Sequence, residues 1–336
     1  MHIWKRFCMA NRALRLGAIL ALLLIAAALF SMCAGASGTS LWSGLRDVIS
    51  GVNSPAARII MYVRLPRVLA SVMAGAALSC SGVIIQGVLG NPLAGPNVIG
   101  VNAGAGFMTL LAAALAVPAA LLPMAAFAGA LMATGIIMLI AGSMGASKIT
   151  VVLAGVALSS IISAGTDLIT TIDPDAVLGM STFMIGGFSG VTAEKLRAAA
   201  WYILPALAAA LFTCSDLDVL GMGDETAQSV GLRVRRTRVI QLILAAVLAG
   251  AAVSFSGLLG FVGLIVPHAM RRLAGGEHRR LMPLSILAGA LFVTVCDTVA
   301  RTAFAPYELP VGILLSLIGG PFFLILLIRS KGRWGE

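Results

Sequence analysis

"RVLASVMAGAALSCSGVIIQGVLGNPLAGPNVIG", residues 67 to 100, opens a run of 80 residues in which no Asp, Glu, Lys or Arg occurs before Lys148. A soluble domain draws about a quarter of its residues from those four types. A charge at mid-bilayer costs several kcal/mol, and about 20 apolar residues cross the hydrocarbon, so a gap this long holds more than one membrane span. Pro92, Pro96, Pro118 and Pro123 divide it into three, near 68–89, 98–117 and 119–141. The expected fold class is all-α and polytopic.

The same reading extends to both ends of the chain. Hydrophobic residues make up 60% of it and charged residues 11%, which excludes an ordinary soluble protein. The net charge of +10 does not point to nucleic acid, because the basic residues lie in short groups between apolar runs, where membrane topology accounts for them. Five cysteines without a CxxC spacing imply neither a zinc site nor a disulfide framework, and no cofactor or metal is expected. The apolar run of about 19 residues after the basic N-terminus resembles a signal peptide, but it is long enough to span a bilayer at about 1.5 Å per residue. It reads as an uncleaved first helix near 16–34.

Further gaps place spans near 149–170, 198–215, 283–300 and 309–328. The 32 uncharged residues between Arg238 and Arg271 are short for two crossings and long for one. Both flanking basic clusters belong in the cytoplasm by the positive-inside rule, so parity calls for two spans, near 239–255 and 257–270, turning at Ser254–Gly257. The total is ten, in a single transmembrane domain with both termini cytoplasmic. Sixteen basic residues then lie inside and seven outside.

The polar stretch 216–238 interrupts this pattern with Asp224, Glu225 and four arginines around an apolar stripe of Ala227, Val230 and Leu232. Gly221, Gly223 and Gly231 suit sharp turns between short helical pieces. Gln86, an amide at membrane depth, either bonds a neighbouring helix or faces a watery path. Ser71, Gly75 and Ser79 recur at the spacing that lets membrane helices approach closely. There is no phosphate-loop motif, and the "GASG" at 35–38 lies outside any span, so no catalytic residue is assigned. His268 reads as helix-end packing and Asp297 as a local ion pair with Arg301.

"RLPRVLASVMAGAALSCSGVIIQGVLGNPLAGPNVIGVNAGAG" (64–106) closely resembles the signature region of the FecCD family of ABC importer permeases for ferric siderophores, haem or cobalamin. The match continues through "LAGVALSSI", "GGFSGV", "GDETAQSVGL", "GFVGLIVPHAMRRL", "DTVAR" and "ELPVGILLSLIGGPFF", in order and over nearly the whole chain. The resemblance implies a non-enzymatic permease in a bacterial or archaeal cytoplasmic membrane, a homodimer partnered by two ATP-binding cassette subunits and an extracytoplasmic substrate-binding protein. Its cargo would be an iron chelate, a ferric siderophore before haem or cobalamin; an ion-coupled secondary transporter is the alternative of another class.

Roles follow residue by residue. Gly221, Gly223, Asp224, Glu225, Ala227 and Gly231 would couple to the ATPase. Arg64, Arg67 and Arg301 would meet acids of the binding protein. Asn91, Pro92 and Leu93 would close a gate with Ser147 and Thr150, and Gln86 would line the path.

Overall fold

The computed structural model describes residues 2–34, 46–143, 148–304 and 307–330, and these form helices with no strand among them. "GASG" and Ser147 lie outside the described residues. In chain order the helices are α1 (His2–Cys33), α2 (Pro55–Leu89), α3 (Val101–Ala114), α4 (Leu122–Ser143), α5 (Lys148–Ile172), α6 (Pro174–Ile185) and α7 (Ala193–Phe212). They continue as α8 (Cys214–Leu220), α9 (Asp224–Ser229), α10 (Val234–Ser256), α11 (Val262–Ala274), α12 (His278–Thr302) and α13 (Val311–Ser330). Eight of these are long and apolar enough to cross a membrane; α3 is apolar but only 14 residues long, and α11 has 13 residues and carries His268, Arg271 and Arg272.

The architecture is organised around α2. Ser54 caps it by accepting from the Ala57 amide at 3.1 Å, and Pro55 takes the first turn, where its missing N–H costs nothing. The helix starts well before the expected 68, and a π-helical turn at Ile60–Arg64 absorbs the extra length ahead of Pro66. Its apolar window is 83% buried, against 11% for α1 and 17% for α5, so α2 is the core and those two are rim. It packs on α12, α10, α11 and α7, while α1 lies along α12 and α3 pairs with α4 and α5.

Small residues set these distances. A methyl group on Gly75 would overlap the Gly289 carbonyl of α12, and one on Gly82 would overlap the Gly263 carbonyl of α11. Backbone meets backbone at both crossings, which is how membrane helices gain dispersion energy when lipid supplies no hydrophobic drive.

The gap between Arg238 and Arg271 is shared by the long α10 and the short α11, broken at Gly257–Phe261. Backbone hydrogen bonds tie the start of that break to α6, and the turn after α6 to α13. Leu258 N–H donates to Phe183 O at 3.0 Å, Gly187 N–H to Ser256 O at 2.8 Å, and Gly312 N–H to Gly186 O at 3.1 Å. The helix α6, absent from the sequence-based expectation, is what supplies Phe183 and the turn at Gly186.

Candidate functional site

Four places carry polar chemistry in this apolar bundle, and α2 and α12 connect three of them. At one end, Arg67 Nε lies 3.0 Å from Asp297 Oδ2 and its Nη2 donates to Asp297 Oδ1 at 3.1 Å, while Nη1 donates to Glu308 at 2.7 Å. Arg301 Nη2 donates to the hydroxyl and carbonyl oxygens of Ser31, and Arg64 Nη1 donates to the Met32 carbonyl at 2.8 Å. The cluster therefore joins the C-terminal end of α1 to α2, α12 and the strand-free segment before α13.

This geometry revises two expectations. Arg64, Arg67 and Arg301 do converge on one end, but at 3%, 8% and 3% exposure they are turned inward and spent on the chain's own acceptors. An outside carboxylate would have to displace Glu308, whose side chain is 42% exposed. Asp297 is paired chiefly with Arg67 across helices; its contact with Arg301 on the same helix is looser, at 4.0 Å. Sequence spacing favoured the i,i+4 partner because only the tertiary fold brings residue 67 to residue 297. Beside the cluster a cavity of about 400 Å³ is lined by Arg67, Lys195, Phe183, Ser256 and Glu308.

The opposite end of α12 meets the polar segment. Twenty-five helical residues separate the ends by roughly 35 Å at 1.5 Å each. Here α8 and α9 form two short helices. Gly223 and Gly231 have φ of +100° and +88°, as their turns require, whereas Gly221 is ordinary right-handed backbone. Asp224 holds Arg238 of α10 at 2.8 and 3.0 Å, which fixes the start of α9 against the membrane helix. Ala227 is fully buried within the module, so it cannot itself fill a groove on a partner. The outward apolar side chains are Met222 and Val230, 67% and 65% exposed, beside exposed Glu225.

The third place is the turn after α2. Gly90 ends the helix in the left-handed region, and the Asn91 carboxamide accepts from the Leu93 amide at 2.9 Å, satisfying a backbone that Pro92 and Pro96 exclude from a helix. Asn91 and Pro92 are exposed and Leu93 half-buried. The start of α5 closes on this turn: a methyl on Gly90 would lie 3.1 Å from Lys148 Nζ, two residues before Thr150. The end of α2 and the start of α5 are thus neighbours. Gln86 is turned into the bundle. It is 2% exposed, donates to the Gly263 carbonyl at 3.3 Å and accepts from Arg271 at 3.4 Å, so it ties α2 to α11.

The fourth is a stripe on α5. Ser160, Ser163, Asp167 and Thr171 recur at spacings of three and four residues and are all exposed on a helix of membrane length. His268, by contrast, stacks edge-on against Phe322 at 6.0 Å, which accords with packing.

The FecCD transport family model matches residues 23–329. The chain belongs to that family. Among FecCD relatives, it is 38% identical to the Fe(3+) dicitrate transport system permease protein FecD of Escherichia coli, over 81% of this chain and 86% of that protein. It is 37% identical to the hemin transport system permease protein HmuU of Yersinia pestis, over 95% and 96% respectively. A cobalamin import system permease protein, BtuC of Halobacterium salinarum, is 39% identical over 84% of this chain and 77% of its own length. A solved inward-facing metal-chelate type ABC transporter superposes with a TM-score of 0.83 at 30% identity, covering 94% of this chain and 99% of that one. Membership of the FecCD family makes this chain a multi-pass transport permease, and its helices follow that architecture.

Proposed function

We propose that this FecCD chain forms one wall of an inward path for a bulky metal chelate, a ferric siderophore or citrate in the first place, with haem or cobalamin carried by the same geometry. The observation that carries the reading is the α5 stripe. The Ser160 and Thr171 hydroxyls donate back to carbonyls of α5, but the exposed Asp167 carboxylate among them is poorly placed against lipid, and the stripe suits a wetted path whose second wall is another copy of the chain. The names of the relatives support the cargo class.

Energy enters from ATP-binding subunits docked on α8 and α9, and the permease itself performs no chemistry. An extracytoplasmic binding protein docks at the other end, over the Arg67 and Glu308 edge, with Arg64 and Arg301 holding the surface in shape. The gate is the turn at Asn91–Leu93 against the start of α5, around Ser147–Thr150. The bilayer is the cytoplasmic membrane, and ten crossings put both termini inside. On this topology a cysteine at Gly276 labels from the cytoplasm only and one at Asp175 from outside only; external labelling at Gly276 would break the assignment of α11 as a crossing.

Reconstituted with its ATPase subunits and binding protein, the chain is expected to accumulate ferric chelate in an ATP-dependent manner. Val230→Glu places a charge in the proposed contact without touching the buried core. It should abolish co-purification of the ATPase and reduce uptake to background while the permease remains inserted. Wild-type association and uptake in that variant would remove α9 from the docking surface.

A further inference from the structure

In the sequence His278 stands between Glu277 and the pair Arg279 and Arg280. In the structure it is the first residue of α12 and 5% exposed. Asp218 of α8 accepts from its backbone N–H, with Oδ1 at 3.0 Å and Oδ2 at 3.2 Å, and from its ring Nδ1 at 2.6 Å. An ionised carboxylate only accepts, so Nδ1 carries a proton, and Nε2 lies on the far side of the ring.

That far side meets α2. Nε2 is buried and has no hydrogen-bond partner among the described residues. It faces Gly87, where a methyl group would lie 2.9 Å from Nε2 and 3.4 Å from Cδ2 of Leu217, itself fully buried on α8. Two parts of the cytoplasmic end, the α8 side chain Leu217 and the His278 ring that α8 holds through Asp218, therefore press on one bare spot of α2. Gly87 is three residues before Gly90, where α2 ends and the gate turn begins. Leaving a buried ring nitrogen unpaired costs about 1–3 kcal/mol, so an apolar side chain would pack here at lower cost. What an apolar side chain lacks is the short bond to Asp218.

We infer that His278 is a positioning residue for transport: it carries movement of the α8 and α9 segment to the turn at Gly90–Asn97. The link is stiff for stated reasons. A planar ring is fixed at one edge by a carboxylate, and at the other it meets helix backbone with no side chain between. The inference rests on the reading that α8 and α9 dock the ATPase.

The test uses the complete transporter in liposomes, with ATPase subunits and binding protein. In His278→Asn the side-chain amide still donates to Asp218, but the part of the ring facing Gly87 is gone. This variant is expected to co-purify with the ATPase in the wild-type ratio and to hydrolyse ATP at the basal rate. Uptake, and the rise in ATP turnover caused by loaded binding protein, should fall about tenfold or more. Gly87→Ala alone should also lower uptake, because its methyl collides with the ring. Combined with His278→Asn it should restore part of the lost uptake by filling the vacated space, a recovery that a purely structural role does not produce. Wild-type uptake in His278→Asn, or two losses that simply add, would overturn the inference. So would loss of ATPase association in His278→Asn, since the residue would then be shaping the docking surface. Failure of the docking reading is separately visible, as intact association in Val230→Glu.

Discussion

Asp297→Ala is expected to destabilise the protein by about 3–5 kcal/mol, the usual consequence of removing one partner from a buried ion pair. Arg67 would keep only Glu308, whose side chain is 42% exposed, and exposed pairs are worth about 1 kcal/mol or less. Arg301, 3% exposed, would keep Ser31 but lose its nearest anion. The measurement is the monodisperse fraction and melting temperature of the detergent-purified permease. Asp297→Asn, which retains the shape and one acceptor, should fall between Ala and wild type. Asp297→Leu combined with Arg67→Met should recover much of the loss, because replacing both charges removes the desolvation cost along with the attraction. A single Ala variant that melts like wild type would show that the cluster does not hold α1, α2 and α12 together.

Gly82→Ala gives a second large effect, and its sign is the informative part. Judged by helix propensity alone, Ala in place of Gly in the middle of α2 should stabilise by about 1 kcal/mol. The Gly263 carbonyl, which also accepts from Gln86, occupies the space the methyl would need. A backbone carbonyl cannot rotate aside as a side chain can, so α2 and α11 must separate, and the expected outcome is a loss of about 2 kcal/mol or more. Gly135 on α4 is the control: it is exposed and a methyl there meets nothing within 4 Å. Gly135→Ala should melt within about 0.5 kcal/mol of wild type or above it. Equal melting of the two variants would refute the close crossing.

Much of the site was legible because its parts are local. The turn after α2 is written in Gly90, Pro92 and Pro96, and the α8 and α9 segment in its break from an otherwise apolar chain. That Arg64, Arg67 and Arg301 fall at helix ends was legible for the same reason, since charges at span ends follow from counting. Their partners were not legible. Nothing at residue 67 announces residues 297 and 308, and Ala227 looks like any small apolar residue until the module is folded around it. His278 was hidden by its arginine neighbours, and the one available signal was its place at the start of an apolar run, where an acid from elsewhere in the chain can cap the helix.

The sequence alone determined the class of solvent each segment meets. An 80-residue charge-free run admits no home but a bilayer, and a bilayer leaves helices as the way to satisfy that backbone. Charge placement then marked where most spans could lie, although α2 begins at Pro55 rather than near 68 and α6 was not anticipated. Only the tertiary structure decided which helix became the core, because mean hydropathy is higher in α1, at 2.6 and 11% buried, than in α2, at 2.1 and 83% buried. The difference lies in where glycine backbones are bare enough to meet another backbone, as at Gly75 with Gly289 and Gly82 with Gly263. That pairing is a property of two surfaces at once, and no single stretch of sequence contains it.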